Sequence, residues 1–102
     1  MQRMMQKYRL SRLAENDLAD IWRYTLDHWS REQANKYVTG LLNACADIAK
    51  APESVGRPYG YVREGYRKYP YGRHMIFYRI LEDGSPLISR VLHERMDYER
   101  HL

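Results

Sequence analysis

A single cysteine, Cys45, stands in 102 residues, which excludes an internal disulfide framework and any multi-cysteine zinc site. No apolar run reaches the roughly 18 residues that a membrane span needs. The opening MQRMMQKYRL holds no apolar stretch of signal-peptide length, so a cytoplasmic location without membrane association is the expectation. There is no Gly-rich phosphate loop, no H-E-x-x-H and no Cys/His zinc spacing. His74, His93 and His101 come from separate elements, and no carboxylate cluster accompanies them, so neither a metal nor another cofactor is expected. The chain is also short. One domain spanning 1–102, with 1–5 as a loose tail, has little volume left for a deep small-molecule pocket. A binding module, or a catalyst acting on a large partner, fits better.

The net charge of +4 is concentrated. Residues 1–56 carry eight Lys/Arg against seven Asp/Glu, and residues 80–102 carry three against five. Residues 57–79 carry six (Arg57, Arg63, Arg67, Lys68, Arg73, Arg79) against Glu64 alone, and hold six of the ten tyrosines. Basic and aromatic residues interleaved in this way can bind phosphates and bases. They suit an acidic protein equally well, or a solvated strand face.

Gln6–Ser11 alternates Tyr8 and Leu10 with Lys7 and Arg9, as a half-buried strand does. Ser11 is an N-cap, with Glu15 and Asp17 near the positive end of the helix that follows. Ala14, Leu18, Ile21, Trp22, Thr25 and Trp29 then recur at steps of three and four, one apolar stripe on a helix to about His28. Ser30-Arg31-Glu32-Gln33 reads as a capping box. The stripe Ala34, Tyr37, Val38, Leu41, Leu42, Cys45, Ile48, Ala49 follows, and Pro52 ends it. Trp22, Trp29, Tyr37 and Cys45 are read as core. Residues 52–65 form a loop by their prolines and glycines. Strands are expected at 66–70, at 73–81 (apolar on both faces, hence central) and at 87–93, with Asp83-Gly84 as a hairpin turn. Residues 94–102 form an exposed terminal stretch with a short helix. The fold class is α+β: β-αα-βββ, a helical hairpin on a small antiparallel sheet.

The segments YRLSRLAENDLADIWRYTLDHWS, YRKYPYGRHMIFYRI and RVLHERMDYERHL resemble the ParE branch of the RelE/ParE toxins over Tyr8 to Leu102. The resemblance implies the same fold and a toxin of a type II toxin–antitoxin pair. Its partners would be a small ParD-like antitoxin and, as target, DNA gyrase, inhibited by binding alone. No sequence-specific nucleic-acid binding is expected of the chain by itself. Two alternatives remain: a RelE-like ribosome-dependent messenger-RNA endonuclease, and a detoxified member that only binds its antitoxin. For cleavage, Arg73 matches the family's strand arginine and Arg95 its late arginine. Lys68 is a single lysine where RelE-type toxins have several. His101 stands where a late tyrosine is expected, with Tyr98 one turn earlier. That departure favours gyrase over RNA. The partner-binding residues are taken to be Tyr66, Arg67, Lys68, Arg73, His93, Arg95, Tyr98, Arg100 and His101.

Overall fold

The computed structural model describes residues 8–60 and 65–102. The tail at 1–5, the first two residues of the expected strand, and Tyr61 and Arg63 of the basic segment lie outside the described residues. Eight elements follow in order: β1 (Arg9–Leu10), α1 (Arg12–His28), α2 (Arg31–Lys50), β2 (Arg57–Pro58), β3 (Arg67–Tyr71), β4 (His74–Ile80), β5 (Pro86–His93) and α3 (Tyr98–His101).

Both helix starts are set by serines. The Ser11 hydroxyl oxygen accepts from the Ala14 N–H at 3.0 Å, and that of Ser30 accepts from the Gln33 N–H at 3.0 Å. Each satisfies one donor that the first helical turn leaves without a partner. Ser11 also reaches across the chain: its hydroxyl donates to the Ser89 carbonyl at 2.7 Å and its N–H to the Ile88 carbonyl at 3.0 Å. The start of α1 is thereby tied to β5. At the other end, α2 stops at Ala51, whose backbone has left helical geometry before Pro52, where proline disfavours the helical conformation of the residue preceding it.

The sheet order is β1-β5-β4-β3-β2. β5, β4, β3 and β2 pair antiparallel, but β1 runs parallel to β5, with Arg9 opposite Leu87. The expected all-antiparallel sheet is therefore corrected at its first edge. A helical hairpin returns the chain to the side from which it started, so the entering strand and the last one point the same way. The loop at 52–65 also contains the two-residue strand β2, paired with Arg67 and Lys68. Two residues between prolines and glycines leave no periodicity to read.

Alternation along β4 and β5 places apolar side chains on both faces. Ile76, Tyr78, Ile88 and Val91 meet Ala14, Leu18 and Ile21 of α1 and Leu41, Ala44, Cys45 and Ile48 of α2. Burial pushes the Cys45 thiol up to about 12, so it stays protonated as a core residue. Phe77 and Leu92 face the other way and form a second, smaller core with Tyr59, closed over by Tyr66, Met75, Tyr98 and Leu102. The terminal stretch is therefore not simply exposed. Tyr98 stands edge-on to Phe77 at 4.8 Å between ring centroids, and the Arg90 guanidinium donates to the His101 carbonyl at 3.0 Å.

Tyr78 is fully buried and its hydroxyl organises the loop before β2. It donates to the Pro52 carbonyl at 2.7 Å and accepts from the Gly56 N–H at 3.1 Å and from Arg67 Nε at 3.3 Å. The rest of the Arg67 guanidinium donates to the carbonyls of Glu53 and Gly56. Arg67 thus spends its donors holding a loop in place. Trp29 departs from the core reading: it is 75% exposed. It falls on the stripe by spacing, but α1 has ended there and the backbone has left helical geometry. Trp22 and Tyr37 are half-buried. The Trp22 indole N–H donates to Asn35 at 2.8 Å.

Candidate functional site

Where the tip of the helical hairpin overhangs the sheet, a cleft of about 580 Å³ opens. Asp20, Tyr24 and Thr25 of α1, Trp29 at the turn, and Gln33 and Tyr37 of α2 form one wall. Arg73, His74, His93 and Arg95, from the turn before β4 and the end of β5, form the other. Register explains the second wall: His74 and His93 are opposite each other in the β4–β5 ladder, and their rings meet edge to face at 5.3 Å.

A phenol joins the walls. The Arg73 N–H donates to the Tyr37 hydroxyl at 3.1 Å, and that hydroxyl lies 2.7 Å from His74 Nδ1. The hydroxyl has a second acceptor for its own proton in the Tyr71 carbonyl at 3.5 Å. The turn permits this approach because Gly72 sits at φ +54°, and a Cβ there would strike the Tyr37 ring. Burial, and then the neighbouring His93, depress the His74 pKa to about 4; Glu94 and Asp17 oppose the shift weakly. The His93 Nδ1 accepts from the Arg95 N–H at 3.1 Å. The Arg73 guanidinium pairs with Glu94 at 3.0 Å, with both side chains well exposed. Among the described residues, no three or more His, Cys, Asp or Glu gather as a metal site.

A pH dependence follows. Unfolded, His74 takes a proton below about pH 6.5; folded, it does so only near 4. The unfolded chain therefore binds more protons in that window, and stability should fall as pH drops from 6.5 to 4. The ring is only partly buried, so solvent screening leaves roughly 1–2 kcal/mol. His74→Asn keeps an acceptor for Tyr37 and should remove this part of the loss in urea unfolding at pH 7 and pH 4.5. An identical decline in both proteins would assign it to other groups.

The residues singled out from sequence fall into separate groups. Arg73, His93 and Arg95 line the cleft. Tyr66, Lys68 and Tyr98 gather on the other face, with the Lys68 ammonium 4.6 Å from the centre of the Tyr59 ring. Arg67 is turned into the loop. Arg100 and His101 are exposed on α3. Tyr37, His74, Asp20 and Tyr24 were not among them. Their spacing carries no motif, because Tyr37 and His74 meet only through the fold.

The architecture is that of small toxin–antitoxin proteins. It superposes with a TM-score of 0.75 on a chain of the solved chromosomal ParDE TA system from P. aeruginosa, 20% identical, covering 87% of this chain and 96% of that one. It superposes at 0.56 on a chain of the RelBE2 toxin–antitoxin complex from Mycobacterium tuberculosis, 23% identical, covering 84% and 94%. In sequence, the model of the ParE toxin of type II toxin–antitoxin systems (parDE) matches residues 8–98. Toxin ParE1 of Mycobacterium tuberculosis is 41% identical over 99 residues, covering 97% of this chain and all of the relative. Toxin ParE1 of Caulobacter vibrioides is 42% identical over 99 residues, covering 96% and 99%. The chain belongs to the ParE toxin family of type II toxin–antitoxin systems. Among the described residues no helix is long and apolar enough to cross a membrane.

Proposed function

We propose that this chain is the toxin of a ParDE-type pair: a small ParD-like antitoxin silences it, and when free it inhibits DNA gyrase by binding. The observation that carries the binding mechanism is the placement of the groups that RNA cleavage would need. Cleavage without a metal requires an acid, a base and cations around one phosphate. Arg73 and Arg95 share the cleft, but His101 belongs to α3, which packs through Tyr98 on the opposite face of the sheet. His74 and His93 do share the cleft, and the Nδ1 of each is already in a hydrogen bond, with the Tyr37 hydroxyl and with the Arg95 N–H. A binding inhibitor needs only a complementary surface. Arg73, Arg95, Arg100 and His101 are exposed cations or polar rings available to one, and Tyr66, Lys68 and Tyr98 extend that surface on the other face. The basic segment favours encounter with an acidic antitoxin tail.

Expression of the chain alone should arrest growth, and co-expression of the antitoxin encoded beside it should restore growth. The purified protein should then inhibit supercoiling by gyrase, or trap cleaved DNA, and leave ribosome-bound messages intact. Message cut at codon positions, and spared by Arg73→Ala or Arg95→Ala, would establish the endonuclease instead. Normal growth at high levels of folded protein would establish a detoxified member.

A further inference from the structure

The cleft at the hairpin tip has a chemistry that the toxin reading does not use. Of its eleven lining residues, only Ile21 is aliphatic. Its lining is nonetheless more apolar than polar, and that apolar surface does not come mainly from aliphatic side chains. It offers flat rings instead. Tyr24 is 60% exposed, and its ring is held by stacking on His28, with centroids 3.9 Å apart and planes 24° apart. The backbone N–H of Trp29 donates to the Thr25 carbonyl at 2.8 Å, which fixes the residue at the turn, where it is 75% exposed. His74 and His93 supply rings on the facing wall, and the Tyr37 ring reaches across to His74.

Cations and edge-reading groups complete the lining. The Arg95 side chain has no hydrogen bond or ion pair among the described residues, and Arg73 commits only Nη1, to Glu94. The Asp20 carboxylate and the Gln33 amide also lack side-chain partners there. Exposed rings, free guanidinium donors, one carboxylate and one amide match a planar heterocycle that carries hydrogen-bonding edges and a phosphate. The volume lies within the range of sites for one small molecule. A base inside a duplex already has both faces stacked, so the ligand must be unpaired.

We propose that this cleft binds a single unpaired nucleobase together with its phosphate, stacking the base on the Trp29 and Tyr24 side and holding the phosphate with Arg95 and Arg73. Stacking accepts any base, so binding is tolerant of sequence. The source is a free nucleotide or a base of a single strand. The assignment does not depend on gyrase being the target.

The test uses the purified full-length chain and fluorescence anisotropy of labelled dT12 and rU12, with unlabelled thymidine and uridine monophosphates as competitors and an oligoglutamate peptide as the acidic control. Binding is expected at low salt. Trp29→Ala and Arg95→Ala should each weaken it about ten-fold, and Arg95→Ala should also flatten the salt dependence by about one phosphate. Trp29→Phe should retain most of the binding. Arg57→Ala, at the far edge of the sheet, should change nothing. Competition by monophosphates at concentrations near those of the oligonucleotides identifies the free nucleotide as the source, and failure to compete identifies the strand; both support the site. No binding of any nucleic-acid probe, binding unchanged by Trp29→Ala and Arg95→Ala, or displacement by oligoglutamate alone overturns it. Circular dichroism of each variant confirms that the fold is kept, as substitution at exposed side chains predicts.

Discussion

Asp17→Ala should lower the unfolding free energy by about 3 kcal/mol or more, a large share of what a domain of this size has. The carboxylate takes Arg90 Nε and Nη2, each at 2.8 Å, and the Val91 N–H at 2.9 Å. The two side chains are only 12% and 17% exposed. Removing the acid leaves a largely desolvated guanidinium with the His101 carbonyl alone and takes the carboxylate from the Val91 N–H, and the deficit of the groups left behind exceeds the value of the bond itself. Urea unfolding measures the loss, and in a thermal scan each kcal/mol corresponds to about 4–8 °C. Asp17→Asn keeps an acceptor for Val91 and should lose less. Replacing both partners at once (Asp17→Leu with Arg90→Met) should recover part of the stability. A loss below about 1 kcal/mol for Asp17→Ala would mean that water satisfies Arg90 without it.

Deletion of Tyr98–Leu102 should cost roughly 3 kcal/mol, because it uncovers Phe77 and Leu92 and removes the Tyr98 ring. From sequence this stretch reads as exposed, so its removal would be expected to abolish toxicity ahead of folding. The structure reverses that order. Thermal melting, with dye binding as a report of exposed apolar surface, should show a loosened protein. Arg100→Ala with His101→Ala, by contrast, changes exposed side chains only and should leave stability within about 0.5 kcal/mol. If the double substitution ends growth arrest at unchanged stability, α3 contributes directly to the target surface. If growth arrest persists, the stretch serves folding alone.

What could be read from the chain was local. Ser11 and Ser30 mark their helices through hydroxyls that act three residues away. The run Met75–Tyr78 in β4, apolar at four successive positions, announced a strand covered on both faces, and both covers exist. Asp83-Gly84 turns the chain, with Gly84 at φ +89°. What escaped was long-range. Asp17 reads as an acid placed for the helix dipole, yet its partners lie 73 and 74 residues away. Arg67 belongs by composition to a basic surface, while its guanidinium serves three acceptors in or under one loop. Trp29 follows the helical period one residue beyond the helix. The cleft itself joins two helices, the turn between them and two strand ends, and no spacing rule relates Tyr37 to His74 or His74 to His93.

The pairing of β1 with β5 also bears on when the protein can exist. Arg9 and Leu10 find their partners at Leu87 and Ile88, and Ser11 and Asp17 find theirs at Ser89 and Arg90. During synthesis the helical hairpin emerges long before those residues do, and domains fold as units once their contacts are available. The strand that completes the sheet begins only at Pro86, so β1 has no partner until β5 has been made. The native surface is therefore assembled only once β5 is present. A chain that lacks β5 lacks both the pairing edge for β1 and the His93 side of the cleft.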